Sequence, residues 1–367
     1  MTITKYLTLA FLGLSAIVQA QVSPTEVVLD GKSLEFRSNV SGGAITSIRL
    51  KSANINPLSW SLTKDQMPKN NQAGTPFAGH FLCLNRWGAP SDPEIEAGIP
   101  HNGDIHLATW LVSPIDTNGG MLSYSTTTTS EREMTKLTRT VRMPQITGFV
   151  LVSEAMQNTG VLGRVTNMVQ HPTIGPPFLT SQTILSSNAD LGFDQATDPK
   201  LLVQKEFTWP MGKLESGPAD LTKTNDERGY VTSHIFSKGQ KYAWVTAIDP
   251  NTNVLFGYLW KAEDYPWLNV WHYADKGKPV AQGLEFGTAG LGKPYSYLLA
   301  NDVNFHGRHS FEYIEAKETK VKSYLALLFK VPPTLRQVAS IDIVSGSIML
   351  KGKDGASMMI PLQGLKF

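Results

Sequence analysis

Three segments of the 367-residue chain place ionisable side chains among glycines, prolines and aromatic residues. The segments span residues 79–106, 164–178 and 267–288. This composition is typical of loops fixed beside a pocket rather than of strands in a bulk core. Among their side chains, His101, His171 and Glu285 could move protons, because carboxylate and imidazole pKa values lie below neutral pH and near it, respectively. These three residues are therefore candidate functional residues.

The same side chains also have purely structural interpretations. His171 could be a strand-end histidine whose ring is satisfied by hydrogen bonds. Glu285, which lies between two apolar residues of a predicted strand, could face solvent by strand alternation. Gly283 and Gly287 favour a functional interpretation of Glu285, because glycine within a strand indicates a close approach of the backbone.

Two further chemistries stay open from the residues alone. His101, Asp104 and His106 are close in sequence and could bind a metal together with His171, although their spacing matches no strong zinc signature. Cys83 is expected to be a small buried apolar residue, and a catalytic thiolate there would need a nearby histidine. The favoured interpretation is a site without metal or cofactor.

The elements that must position these residues are β-strands. Runs rich in β-branched and aromatic residues flank turns of Gly, Pro, Asn and Asp along the chain. Hairpins and strands are predicted over residues 34–50, 126–129, 149–154, 241–260, 310–331 and 347–361. Only one short helix, near residues 93–97, is predicted, and no propeller or solenoid repeat is found. The fold class is therefore all-β, a large antiparallel β-sandwich with few short helices and long loops.

The composition fits a folded enzyme without a large nucleic-acid surface. The chain has 33 Lys and Arg against 31 Asp and Glu, which leaves a net charge of +2. Without a basic excess, no nucleic-acid partner is expected. Because Cys83 is the only cysteine, no internal disulfide can form and stability must come from core burial.

Residues 1–20 have the pattern of a signal peptide. Lys5 precedes an apolar run, residues 7–18, that is too short to span a bilayer, and small residues end the segment at Ala20. A membrane anchor is the alternative. We expect a periplasmic or secreted protein whose mature part, residues 21–367, is a single monomeric domain free of the membrane. Nucleotide cofactors are not expected in those compartments.

Four motifs of this chain resemble those of one known family. They are Asn85-Arg86, Pro100-His101-Asn102-Gly103, His171-Pro172 after Thr166-Asn167, and Glu285-Phe286-Gly287-Thr288. In order and spacing they are similar to the aldose 1-epimerases of the galactose mutarotase-like superfamily, over nearly all of the mature chain. The residues after Pro172 and after Glu285 depart from the family pattern, so the resemblance is to a divergent exported branch.

The resemblance implies a mutarotase-like β-sandwich and a role for each motif residue. Asn85, Arg86 and His101 would hold sugar hydroxyls, His171 would be the general acid and Glu285 the general base. The two catalytic groups are expected on opposite walls of one cleft that has room for a single pyranose. Flat aromatic faces for the sugar could come from Trp271, with Trp87, Trp110 and Trp267 as further candidates.

The expected activity is the interconversion of sugar anomers by acid–base ring opening, with a small carbohydrate or glycan as the partner and no cofactor. Two alternatives come from other classes. One is a carbohydrate-binding module of the same fold that does not turn its ligand over. The other is a different sugar enzyme, a lyase or hydrolase, on the same sandwich. Only the geometry of the site can choose among them.

Overall fold

Residues 25–367 are described by a computed structural model as strands joined by turns and long loops. The predicted signal peptide lies outside the described residues. The first fourteen strands are β1 (Glu26–Asp30), β2 (Leu34–Asn39), β3 (Ile45–Leu50), β4 (His80–Leu84), β5 (Leu111–Val112), β6 (Met121–Ser130), β7 (Thr135–Pro144), β8 (Phe149–Asn158), β9 (Arg164–Thr166), β10 (Met168–Ile174), β11 (Ile184–Ser187), β12 (Leu191–Asp194), β13 (Phe207–Thr208) and β14 (Met211–Leu214).

The remaining strands are β15 (Gly217–Asp220), β16 (Tyr230–Ile235), β17 (Tyr242–Asp249), β18 (Val254–Lys261), β19 (Trp267–Asp275), β20 (Lys278–Gly287), β21 (Asn304–Phe305), β22 (Arg308–His309), β23 (Glu312–Ile314), β24 (Thr319–Lys330), β25 (Val338–Val344), β26 (Ser347–Gly352) and β27 (Ser357–Pro361). Two short α-helices are described, α1 (Asp92–Glu96) and α2 (Tyr295–Ala300), together with five single-turn 3₁₀ helices. Among the described residues, no helix has the length and apolar character needed to cross a membrane.

Two large antiparallel sheets form the sandwich. One has ten strands in the order β1-β2-β3-β4-β10-β20-β19-β16-β12-β13, and the other has eight in the order β11-β17-β18-β24-β8-β7-β6-β5. Their facing side chains make one large apolar core. At its centre Trp260 of the eight-stranded sheet stacks on Phe286 of the ten-stranded sheet, with ring centroids 4.3 Å apart. The predicted antiparallel β-sandwich is therefore confirmed.

A third, three-stranded sheet of β25, β26 and β27 covers the other face of the eight-stranded sheet. Ile341, Ile348 and Leu350 of this small sheet pack with Leu325 and Leu327 of β24. The eight-stranded sheet is thus buried on both faces, which explains why β17 is buried along its whole length. The outer face of the ten-stranded sheet is the one that remains for a site.

Most of the predicted local structure is confirmed, although α2 was not predicted and one hairpin is wrong. The hairpins at residues 34–50, 241–260 and 347–361 pair as expected, and α1 lies where the short helix was predicted. The hairpin predicted over residues 310–331 is wrong. Its first strand, β23, pairs with β9 instead, whereas β24 pairs with β18 and β8. Strand partners this distant cannot be identified from a local turn pattern.

Candidate active site

Strand alternation brings the chemically active residues to one face of the ten-stranded sheet. In β20, Leu284 and Phe286 face the core, so Glu285 points outward. In β10, Met168 and Ile174 face the core, which turns His171 outward by the same alternation. The strands β4, β10, β20, β19 and β16 are neighbours in the sheet. Residues distant in sequence therefore meet on the outer face.

His171 and Glu285 are in direct contact. The Nε2 atom of His171 lies 3.1 Å from Oε1 of Glu285. The register causes this contact, because Gln170 lies opposite Phe286 in the paired strands β10 and β20. The expectation that the two groups would occupy opposite walls of a cleft is therefore wrong. They form one close pair on a single wall.

Each member of the pair is held by further contacts. The indole Nε1 of Trp87 donates to Oε2 of Glu285 at 2.8 Å. Nδ1 of His171 lies 3.2 Å from Oγ1 of Thr173, and its ring stacks on Phe81 with centroids 4.2 Å apart. These contacts fix both rotamers, so the pair is preorganised for chemistry.

Gly283 leaves the space that the carboxylate occupies. A Cβ atom at this position would lie 2.8 Å from Oε1 of Glu285 and 3.1 Å from Cβ of Trp271. Gly287 is similarly constrained, since its Cβ would meet Val169. The prediction that these glycines mark close approaches around Glu285 is confirmed.

Burial controls the protonation of the pair. It raises the pKa of Glu285 to about 8 and lowers the pKa of His171 to about 3. In both cases removal from water disfavours the charged form, and the Trp87 hydrogen bond opposes this only in part for Glu285. Near neutral pH burial therefore favours the uncharged form of both residues, a protonated Glu285 carboxyl group beside a neutral His171 imidazole.

The pair opens into a cavity of about 470 Å³ whose lining is largely apolar and aromatic. This volume is in the range of small-molecule sites, which combine an apolar lining with a few convergent polar groups. The aromatic lining residues include Trp60, Phe77, Phe81, Trp87 and Trp271. His101 and Asn102 also line the cavity. Within the described part of the chain, no Lys or Arg contributes to this lining.

The structure brings four of the six predicted site residues together. His171, Glu285, His101 and Trp271 all line the cavity. Burial lowers the pKa of His101, which therefore favours the neutral imidazole as its form in the cavity. The roles expected for His101 and Trp271 in holding a sugar stay predictions.

Asn85 and Arg86 do not line the cavity. Asn85 adopts a left-handed conformation (φ 64°) at the end of β4, where its Oδ1 accepts a hydrogen bond from Thr166 at 2.9 Å. The guanidinium of Arg86 donates to Glu94 at 2.6 Å, an ion pair that braces the loop instead of facing the cavity. Both side chains therefore stabilise the loop that carries Trp87.

Two of the tryptophans proposed to face the sugar, and two members of the metal alternative, Asp104 and His106, do not line the cavity. Trp110 and Trp267 are core residues, only 2% and 0% exposed. His106 is tied to the Gly103 carbonyl and to Asn71, and Asp104 accepts from Ser130. Within residues 25–367, no three His, Cys, Asp or Glu side chains are grouped to hold a metal ion.

Sequence reasoning missed several lining residues. Trp60, Phe77 and Gln195 come from separate parts of the chain that carry no motif. Asn102 belongs to an Asn-Gly turn, where its Oδ1 accepts from the Gly88 backbone N–H at 2.8 Å. The left-handed φ of Asn102, 61°, is the one feature that such a turn predicts from sequence.

Because Glu285 is buried as a neutral acid, its replacement by glutamine should stabilise the protein at alkaline pH. The unfolded carboxyl group ionises above its ordinary pKa of 4.5, whereas the folded one keeps its proton to about pH 8. The native protein therefore loses stability as the pH rises through this window. We expect the melting temperature of Glu285→Gln to exceed that of wild type by more at pH 8.5 than at pH 5. The corresponding change in the free energy of unfolding is on the order of a few kcal/mol. The exposed Glu131→Gln is the control, and an unchanged difference across that range would contradict the buried acid.

Comparisons with solved structures agree with this architecture. A protein from Synechocystis sp. PCC 6803 superposes with a TM-score of 0.60 at 14% identity, covering 87% of this chain and 100% of that one. A candidate aldose 1-epimerase from Klebsiella pneumoniae gives 0.59 at 10% identity, covering 81% and 77%.

A galactose mutarotase-like protein from Clostridium acetobutylicum gives a TM-score of 0.59 at 13% identity, covering 83% of this chain and 95% of that one. No protein-family model and no curated protein matches the chain. At such low identity the superpositions show the fold alone. The superpositions show that this chain shares the β-sandwich fold of these proteins, which include galactose mutarotase-like proteins.

Proposed function

We propose that this protein interconverts the anomers of a neutral aldose by acid–base opening of the sugar ring. The observation that carries the proposal is the contact of 3.1 Å between His171 and Glu285 at the wall of a cavity without cationic lining. A pair of proton carriers with contrasting pKa values is the pattern expected of an acid and a base acting together. The fold supports the same activity only by analogy.

Ring opening can be catalysed by two adjacent groups. In a hemiacetal the hydroxyl oxygen and the ring oxygen are bonded to the same anomeric carbon. One catalytic group must take the hydroxyl proton while the other gives a proton to the ring oxygen. Two groups in contact on one wall can reach both oxygens, because these oxygens share the anomeric carbon.

The proton balance closes without a cofactor. The pair begins with one proton, on Glu285, because burial raises the pKa of its carboxyl group. Glu285 donates that proton to the ring oxygen while His171 accepts the hydroxyl proton, and the bond between the anomeric carbon and the ring oxygen breaks. The aldehyde turns about its bond to the next carbon, and the reverse transfers close the ring on its other face. This starting arrangement is opposite to the roles that the family resemblance implies.

The lining favours a neutral sugar over an anionic one. Phosphate and carboxylate groups of sugars are normally bound by Arg or Lys side chains. The described lining has neither, and Arg86 is engaged by Glu94. Trp60 and Trp271 instead present aromatic rings, which lie edge to face with centroids 5.5 Å apart. Such rings suit the apolar face of a pyranose.

The enzyme-catalysed rate should have a bell-shaped pH dependence. Catalysis needs a protonated Glu285 and a neutral His171 at the same time. Below about pH 3 both groups are protonated and no base remains, and above about pH 8 the carboxyl group has lost the proton it must donate. We expect kcat/KM to fall about tenfold per pH unit beyond each limit. NMR measurement of α-to-β equilibration, corrected for the uncatalysed rate, tests this, and a flat profile from pH 6 to pH 10 would contradict it.

Replacing Trp87 by phenylalanine should move the alkaline limit of that profile. The Trp87 hydrogen bond favours the ionised carboxylate, so its loss raises the pKa of Glu285 further. A hydrogen bond to a charged group is large enough to shift this limit by about one pH unit. Trp60→Phe is the matched control, because Trp60 lines the same cavity but packs against Trp271 instead. A limit that stays fixed in Trp87→Phe, or moves equally in both variants, would contradict the assignment.

A further inference from the structure

The cavity beside the His171–Glu285 pair continues along the sheet. A second cavity, of about 520 Å³, adjoins it. The two share three lining residues, Gln195, Val231 and Trp271. Val231 and Trp271 are direct cross-strand partners of β16 and β19, so both cavities lie over the same outer face. Together they form one groove, which is longer than a single-ring site requires.

An aromatic strip runs from the first cavity into the second. Trp271 lines both cavities, and Tyr273, two residues further along β19, lines only the second. Alternation places the two side chains on the same face of the strand. Their ring centroids are 6.5 Å apart and their planes differ by 20°. This is a continuous flat surface on which successive sugar rings could stack.

The boundary between the two cavities is rigid. The side-chain amide of Gln195 donates to Ser233 Oγ and to the Gly290 carbonyl, both at 2.6 Å. Its Oε1 accepts from the Gly292 N–H at 3.2 Å. Because both ends of its amide are hydrogen-bonded, the Gln195 side chain is held in place between the two cavities.

The second cavity is suited to neutral hydroxyl groups. Its polar lining includes Asp194, Glu215, Ser216 and Tyr230, and within the described residues it contains no Lys or Arg. Asp194 is held by the backbone N–H of Glu215 at 2.9 Å, and Glu215 by Lys205 at 2.7 Å. Carboxylates fixed in this way can accept hydrogen bonds from sugar hydroxyls and would repel an anionic ring.

We propose that the groove binds the reducing end of a neutral oligosaccharide, with the reducing-end ring at the His171–Glu285 pair and the next ring on Tyr273. This inference rests on the proposed function, since only a reducing end can be opened. It specifies a substrate of at least two rings rather than a free monosaccharide.

The test compares sugars that share a reducing-end ring: glucose with maltose and cellobiose, and galactose with galactobiose. We expect kcat/KM for at least one disaccharide to exceed that of its monosaccharide about tenfold or more. Tyr273→Ala should remove most of this preference, since an aromatic contact of this kind accounts for a factor of about ten. Tyr313→Ala, which removes a tyrosine 52% exposed outside both cavities, is the matched control and should keep the preference.

Failure of the groove and failure of the reaction give different results. Equal kcat/KM for disaccharides and monosaccharides in wild type, with no effect of Tyr273→Ala on their ratio, would overturn the extended site and leave the ring-opening activity intact. If no sugar is interconverted, saturation-transfer NMR decides whether the groove binds disaccharides. Disaccharide binding that exceeds monosaccharide binding and weakens in Tyr273→Ala would support the groove while rejecting the reaction.

Discussion

Replacing Glu285 by glutamine should lower the catalysed rate of anomer interconversion by a factor of about 10² to 10⁴, because the pair then lacks the proton that it donates to the ring oxygen. Glutamine has nearly the same shape as the neutral acid. Its oxygen can still accept from Trp87, and its NH₂ group can take the place of the carboxyl oxygen beside His171, so the cavity should keep its form. Sugar binding is therefore expected to survive.

Polarimetry or NMR of α-to-β equilibration measures the rate, and saturation-transfer NMR measures binding on the same sample. The exposed Glu131→Gln serves as the matched control and should retain wild-type activity. An undiminished rate in Glu285→Gln would remove the carboxyl group from the mechanism. Loss of binding together with activity would instead show that Glu285 shapes the cavity.

Replacing His171 by alanine should cause a loss of similar size, about 10² to 10⁴-fold, because the variant has no group to accept the hydroxyl proton. The ring of His171 also packs on Phe81, so a loss of activity alone could reflect packing. Added imidazole separates the two causes. It can occupy the space left by the side chain and restore proton transfer.

We expect millimolar imidazole to raise the rate of His171→Ala at least tenfold over its rate without imidazole. Phe81→Leu disturbs the same stacking contact without removing a proton carrier, and imidazole should not improve it. If imidazole rescues neither variant, or both equally, the assignment of His171 as a proton carrier is contradicted.

Local patterns predict the fold better than they predict strand partners. The glycine turn at Gly42 and Gly43, both with positive φ, correctly joins β2 and β3. The segment around Lys317 has an equally good turn pattern but joins two strands that pair elsewhere. The third sheet could not be foreseen, because packing of β25–β27 on the eight-stranded sheet leaves no periodic signal in either segment alone.

The site was predictable where a residue's neighbours restrict it. Glu285 between Gly283 and Gly287 indicates a carboxyl group held against a close backbone, and the structure shows this arrangement. Arg86 could not be assigned from sequence, because its partner Glu94 is eight residues away and either a sugar or a carboxylate would satisfy it. Gln195 carries no local signal at all, because its place at the cavity is set by tertiary packing.

The protonation of the pair was beyond sequence analysis for a related reason. Ordinary pKa values make glutamate the base and histidine the acid near neutral pH. Burial of Glu285 and His171 reverses that order, as desolvation disfavours both charges. Burial is a property of the folded chain, so the assignment of donor and acceptor required the structure.

The most direct test of the central claim is two-dimensional exchange NMR on the wild-type protein with a panel of neutral aldoses and reducing disaccharides. The His171–Glu285 pair predicts saturable acceleration of α-to-β exchange for at least one sugar, with no metal or nucleotide added. Binding of a sugar in the cavity without any acceleration of its exchange between pH 5 and pH 8 would contradict the claim, and the protein would then be a binding module.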